Sequence, residues 1–466
     1  MSEPENKNTK TQPSLQGWSL PLVESAERDE WNSACEPWRE ELEASVHETK
    51  ALQRKRKIRS APDLLRLALA YSQCDWSLQQ LGAWATAMRV SAGSMSNTAI
   101  QARLCGCRPW LSLLVGRLLK AVPAAPAQTG LQVRLIDATV ICQPGSTGTD
   151  WRVHLSWNAG TLSLDGIELT DAHGGETLAR HPAQADDVGI GDRGYAHRRG
   201  LGEWLAENAK LVVRVNGHNL PLETAPDEKL DLGGWLAAAP LDTLVCSRPV
   251  WVNTPRGRFS LRLIARRLPA AAAAAAVRRL RKASRKKGHT PSALSQLLAG
   301  WVLVVTNLPA ELWSDEAVLG LYRLRWQVEL VFKRLKSLLH LDQLRAKDPE
   351  MVQVYLLGKI VGLLLLDGWT RQQAAQLAEW FDDRQRPLSI WRWTALWADQ
   401  LRAVVRGNFT LAIFLAALPQ LKRYLHDRPR KRKQQLAQAR RLILALGLNP
   451  SDPSIPQELA ACLSLS

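Results

Sequence analysis

The chain has 466 residues, 46% of them hydrophobic, and a net charge of +17 at pH 7. That length exceeds a single compact core, so about two to four domains are expected. The charge favours a polyanionic partner, nucleic acid first and an anionic membrane surface second. Tyr355–Leu366 is the longest apolar run; it is short for a bilayer and contains Lys359. Met1–Leu15 is polar and lacks the apolar core of a signal peptide. The seven cysteines are irregularly spaced, and Cys105-Gly106-Cys107 has no second pair to complete a zinc site. Reduced thiols in a cytoplasmic protein with no membrane role are expected.

In chain order, residues 1–16 read as a disordered polar tail. Trp18–Gln53 has helical spacing and is followed by the basic cluster Arg54-Lys55-Arg56-Lys57. Ser60-Ala61-Pro62-Asp63 reads as a helix start. Ser77–Ala85 and Ser96–Leu104 are short helices around the turn-like Val90–Met95. They fit a helix-turn-helix with outward Asn97, Gln101 and Arg103, and they fit a plain helical bundle equally. Ala121–Gly130 is a linker. Leu131–Ile141, Trp151–Trp157 and Leu162–Leu169 read as an antiparallel meander. Val188–Gly191 is a short strand, Gly200–Asn208 a helix and Lys210–Val215 a buried strand. Thr243–Val252 and Arg258–Arg267 form a hairpin. The alanine run Ala270–Ala276 leads into Val277–Lys287, a basic helical segment expected to face phosphates, or else a solvated surface helix. Trp301–Thr306 returns to strand composition. Ser314 is an N-cap. Met351–Leu366 is apolar nearly all round and is expected to pack on the sheet. Thr370–Leu446 is helical, with a basic cluster at His426–Lys433. The last twenty residues, with Pro450, Pro453 and Pro456, are expected to be loose.

Three acidic residues stand out. Leu135-Ile136-Asp137-Ala138-Thr139 sets an Asp in a strand. Val188-Gly189-Ile190-Gly191-Asp192 ends a second strand on another. Tyr322–Lys336 has neither Gly nor Pro and reads as one helix. On a helical wheel with Tyr322 at zero, Arg325, Glu329 and Lys336 fall at about 300°, 340° and 320°. They form one stripe along the edge of the apolar face made by Leu324, Val328, Val331, Leu335 and Leu339. An amphipathic helix with i,i+4 charge pairs accounts for this helix alone. The two upstream aspartates shift the balance. Two Asp and one Glu, each at the edge of a regular element, suit hard oxygen-seeking Mg²⁺ ions. A pair of such ions about 3.5–4 Å apart supports in-line phosphoryl transfer.

Asp137 in Ile-Asp-Ala-Thr, Asp192 in Gly-Asp-Arg-Gly-Tyr and the spacing Tyr-x2-Arg-x3-Glu-x6-Lys resemble the cut-and-paste DDE transposases of bacterial insertion sequences that carry a Tyr-Arg-Glu-Lys (YREK) signature. The resemblance covers roughly residues 131–345. It implies an α/β fold: a ribonuclease H-like mixed-sheet catalytic core with a β-rich insertion, flanked by helical N- and C-terminal regions. The expected divisions are a helical DNA-end-binding domain at 17–121, a core at 131–216 and 301–348, a basic insertion at 217–300 and a helical region at 349–466. It implies that Asp137, Asp192 and Glu329 hold two Mg²⁺ ions, with Mn²⁺ able to substitute. Tyr322, Arg325 and Lys336 would clamp phosphates, and Arg193 would contact the same strand. In relatives a Trp in this region stacks on a base flipped out during hairpin formation, and Trp301 is the candidate here; a Trp opening a core strand is the alternative. Double-stranded DNA, as transposon ends and as target, is the implied partner, with a dimer assembled on it near the nucleoid. A repurposed DNA-binding protein and a general nuclease of the same fold are the competing readings.

Overall fold

The computed structural model describes residues 30–121, 131–217, 219–382, 385–407, 411–449 and 451–463. The expected tail at 1–16 and nearly all of the expected linker lie outside them. The chain divides into two compact units. One comprises residues 1–123, 344–381 and 388–427, and the other residues 124–343, 382–387 and 428–466.

The first unit is helical. Serines start its helices as the sequence predicts: Ser60 Oγ accepts from the Asp63 amide, Ser77 forms a capping box with Gln80, and Ser96 accepts from Ala99. The helix Ala61–Gln73 is buried almost throughout. Against it and the helix Arg108–Lys120 lies the longest helix, Pro349–Gln376. This corrects the expectation that the apolar run packs on the sheet. Gly358 and Gly362 are the reason: a Cβ at either would meet Ser72 or Gln73 of the neighbouring helix, so the two backbones approach closely. The run is also longer than the sequence suggested. By length and composition Pro349–Arg371 could cross a membrane, yet 72% of that window is buried inside the protein, as in a core helix. Asn97 and Gln101 are exposed as expected. Arg103 is not outward: its guanidinium donates to the carbonyls of Ala51 and Arg54 at 3.5 and 3.3 Å.

Lys359, 1% exposed, has no hydrogen-bond partner for its Nζ among the described residues and lies 5.0 Å from the Tyr355 ring. Burial pushes its ammonium down to about 8, against the pull of Asp75. The unfolded chain, with a lysine pKa near about 10.4, binds the proton more tightly. Between those values stability rises with pH, by up to about 1.4 kcal/mol per unit. The penalty is present in full below the folded value and gone above the unfolded one. Lys359→Met should therefore exceed the wild type in guanidinium midpoint at pH 7, with the gap shrinking toward pH 10. A gap of constant size would remove the buried charge as its cause.

The second unit is built on one ten-stranded mixed sheet. Its strands are β1 (Gln132–Ile141), β2 (Trp151–Asn158), β3 (Ser163–Asp171), β4 (Asp187–Gly191), β5 (Lys210–Val215), β6 (Glu223–Ala225), β7 (Glu228–Lys229), β8 (Val245–Thr254), β9 (Gly257–Arg267) and β10 (Trp301–Thr306). Their order is β3-β2-β1-β4-β5-β10-β9-β8-β6-β7. The meander β1–β3 is antiparallel, β4 and β5 run parallel to β1, and β10 returns antiparallel to β5. The hairpin β8–β9 pairs with β10, so the segment between β5 and β10 extends the same sheet. One core runs beneath it, from Ile136 and Trp204 through Val213 to Leu263 and Val305.

One expectation is corrected here. The C-terminal stretch is not loose: Ser454–Leu463 is a helix packed on the helices Asp315–Tyr322 and Lys431–Leu448. Pro456 falls in its first turn, where a missing N–H costs little, and Leu459 is fully buried. Asp165 and Asp187 share one partner. Both pair with Arg134, at 3.0 and 2.7 Å.

Candidate active site

The sheet brings the two aspartates together. β1 and β4 are parallel, with Leu135 paired to Ile190 and Val133 to Val188. That constant offset of 55 sets Asp137 level with Asp192, just past the end of β4. Level residues of neighbouring strands point to one side. Asp137 is 15% exposed in its side chain, and its Oδ1 accepts from the Ala138 amide at 2.9 Å. Asp192 caps the short 3₁₀ turn Arg193–Tyr195, accepting from the Gly194 amide at 2.8 Å.

Glu329 arrives from above on the helix Trp326–Leu339, which packs on β1. The predicted apolar face is buried: Leu324, Val328, Val331, Leu335 and Leu339 are each at most 5% exposed. The predicted single helix is broken in one place. Asp315–Tyr322 ends as an α-helix, Arg323–Arg325 is a 3₁₀ turn, and the α-helix resumes at Trp326. The tighter turn interrupts the α-helix between Tyr322 and Trp326; Tyr322 stays beside Arg325, and its hydroxyl bonds the Arg214 guanidinium. Arg325 remains with Glu329. It forks between Asp137 Oδ2, at 3.3 Å, and the Glu329 carboxylate, in a short ion pair. Lys336 reaches the Val140 carbonyl of β1 at 3.5 Å.

Burial is the main reason the Asp137 carboxyl is pushed up to about 6; the Ala138 amide and Arg325 oppose it, while Asp192 and Glu176 add to it. Glu176 is the residue the sequence pointed to least. It sits in the loop after β3, and its carboxylate lies over Gly194, where a Cβ would collide with it. Burial, then Asp192, raises its pKa. Beneath this cluster the Tyr195 hydroxyl is buried without a hydrogen-bond partner among the described residues. Burial, then Asp137, Glu176 and Asp192, holds it protonated.

Among the described residues no three acidic, His or Cys side chains converge closely enough to hold a metal as they stand. The donor set nevertheless fits one. The carboxylates of Asp137 and Glu329 are hard oxygen donors, and the Arg325 guanidinium is a cation already seated between them.

Beside the carboxylates lies a groove of about 380 Å³, lined by Arg214, Tyr322, Arg323, Arg325, Trp326 and Arg432 among others, with no acidic side chain in its wall among the described residues. Arg432, from the helix Lys431–Leu448, stands 5.1 Å from the Trp326 ring. Arg193 is exposed at the mouth of the 3₁₀ turn. Trp301 is elsewhere in character: it opens β10, is 4% exposed, belongs to the core and carries the Arg267 guanidinium 4.3 Å over its ring.

Residues 128–365 match the transposase DDE domain. The chain belongs to that family and is a DDE transposase of the insertion-sequence type. It is 37% identical to the transposase for insertion sequence element IS421 of Escherichia coli over 335 residues, 70% of this chain and 90% of the relative. InsL of insertion sequence element IS186A, from Escherichia coli strain K12, gives the same identity over 334 residues with the same coverage. The transposase for IS231F of Bacillus thuringiensis subsp. israelensis is 38% identical over 104 residues, 22% of each chain. Transposases act on DNA, and DDE transposase domains depend on divalent metal.

Proposed function

We propose that this chain cuts DNA at the inverted-repeat ends of its insertion sequence and joins those ends to target DNA, with Asp137, Asp192 and Glu329 as the catalytic carboxylates. The core is read as ribonuclease H-like, and the stripe Tyr322, Arg325, Glu329, Lys336 as a YREK signature. The observation that carries the reading is the register of β1 on β4, which sets Asp137 level with Asp192, together with the ion pairs that tie Glu329 to Asp137 through Arg325. The three carboxylates would hold two Mg²⁺, or Mn²⁺ in its place. Metal bound there supplies Lewis-acid stabilisation of the attacking and leaving oxygens of phosphoryl transfer.

The chain's own side chains do the positioning. Arg325 offers a fork that suits phosphate as well as carboxylate, and Lys336 a point charge. Tyr322 and Arg214 share the arginine groove, whose described wall carries no acid to repel a phosphate. Arg193 approaches the same strand from the Asp192 side. Water cuts the strand at the element's end and frees a 3′-hydroxyl. That hydroxyl attacks the opposite strand's phosphate, displacing the flanking strand and closing a hairpin. Water reopens the hairpin and restores the 3′-hydroxyl, which then attacks a target phosphate and displaces a target 3′-oxygen. A base-stacking role for Trp301 requires Arg267 to leave its ring. The domain divisions at 17–121, 131–216 with 301–348, 217–300 and 349–466 go with this reading, the first holding the end sequence. Two protomers would assemble on paired ends, in the cytoplasm with the nucleoid.

The test is cleavage of a labelled duplex carrying the element's own end, against a scrambled duplex, with Mg²⁺, Mn²⁺ or chelator. Metal-dependent cutting confined to the end is expected. Binding without cutting under every metal would replace this reading with a repurposed DNA-binding protein. Cutting that ignores sequence would replace it with a general nuclease.

A further inference from the structure

Between Asp242 and Glu311 the chain has 68 residues without one Asp or Glu, and they carry thirteen Lys and Arg. Six of these fall within the helix Ala270–Lys286, at Arg278, Arg279, Arg281, Lys282, Arg285 and Lys286, and all six are exposed. At about 100° per residue they occupy one sector of roughly 160°, with the buried Ser284 outside it. None forms an ion pair among the described residues; Arg281 bonds only the Gln296 amide oxygen. A helix that merely faces water intersperses Glu at i,i+4. This one sets like charges at i,i+3 and i,i+4 six times over, an arrangement that destabilises a free helix and is relieved by a polyanion.

We infer that this helix is a sequence-independent rail for the phosphate backbone of duplex DNA, lying outside the cleavage site. From Arg278 to Lys286 the helix rises about 12 Å. That length of duplex carries about seven phosphate charges, close to the six cations presented. No side chain in the sector suits base readout by a paired amide, and the preceding Ala270–Ala276 turn lets the helix approach without bulk. The inference rests on the DNA-handling reading above. The duplex it holds is either the element's end or the target.

The experiment measures equilibrium binding of the full chain, without metal, to an end duplex and an unrelated duplex between 50 and 300 mM salt (values near the range of about 50–200 mM over which such slopes are read). The variant carries Arg278→Gln, Arg281→Gln, Lys282→Gln and Arg285→Gln, which keeps helix propensity. Its slope of log K against log salt should fall by about 3 to 4. A companion with Arg278→Lys, Arg281→Lys and Arg285→Lys should keep the wild-type slope. A fall of similar size on both duplexes supports the rail; a fall confined to one of them overturns its independence of sequence. An unchanged slope on both, or a fall of equal size in the Lys companion, overturns it. So does a loss confined to anionic vesicles, which would make the surface a membrane contact. Wild-type cleavage of the end duplex is read separately, so failure of the transposase reading leaves its own mark.

Discussion

Glu329→Ala should lower metal-dependent cleavage at the element's end by at least about 10³-fold, the scale on which loss of one essential group acts. Binding of the end duplex should stay within about twofold, because surface substitutions leave stability within about 0.5 kcal/mol. The side chain is 54% exposed, and its partner is Arg325 rather than the core. Asp137→Asn should act as strongly by a different route. The amide is isosteric, so the Ala138 N–H keeps an acceptor and the strand keeps its register. What is lost is a charged oxygen: burial, Asp192 and Glu176 raise the carboxyl only to about 6, against the Ala138 amide and Arg325, so it is largely ionised at pH 7. Groups that act as a unit are not additive, so the double variant should cut no more slowly than either single one. Cleavage assays of the three variants beside a gel shift measure this. More than about a tenth of wild-type cutting in Glu329→Ala would remove it from the proposed triad.

The elements that hold these carboxylates were legible because their signals are local. Strand alternation marks β1 to β3, and the short run before Asp192 marks β4. Ser60, Ser77, Ser96 and Ser314 announce helix starts by capping chemistry alone. The site was legible as far as spacing goes: Arg325 and Glu329 are four residues apart and do meet. What failed was pairing across distance. The buried helix Pro349–Gln376 is apolar all round, which says that it is covered but not by what; Gly358 and Gly362 were the missed sign of a close helix neighbour. Three prolines hid the helix Ser454–Leu463, although proline is tolerated in a first turn. Glu176 lies in a loop without periodicity, and only the fold carries it to Asp192. The partner of Asp165 and Asp187 stands 31 and 53 residues away in the chain, beyond any local signal.

That partner leads to the second large effect. Arg134 lies three residues before Asp137 on β1 and therefore faces the other side of the sheet. Its guanidinium pairs with Asp187 at 2.7 Å and Asp165 at 3.0 Å, donates to the Pro182 carbonyl at 2.7 Å, and stands 5.5 Å from the Trp204 ring. It thus ties β1 to β3 and to the first residue of β4, the strands whose register levels Asp137 with Asp192. Arg134→Met should cost about 3–5 kcal/mol, the penalty of stranding buried charge rather than the worth of the pairs. Asp187, whose side chain is 7% exposed, carries most of it; Asp165 at 26% keeps some water. For a unit of this size that is a fall of about 6–20 °C in Tm. Removing the stranded charges as well, with Asp165→Asn and Asp187→Asn on the Arg134→Met background, should recover much of the loss. Thermal unfolding by far-UV circular dichroism reads both variants. A fall under about 2 °C would mean that water reaches the cluster freely and that it behaves as a surface pair. Cleavage by Arg134→Met below its Tm then separates the two roles: if register is what the arginine secures, cutting drops although every catalytic side chain is present.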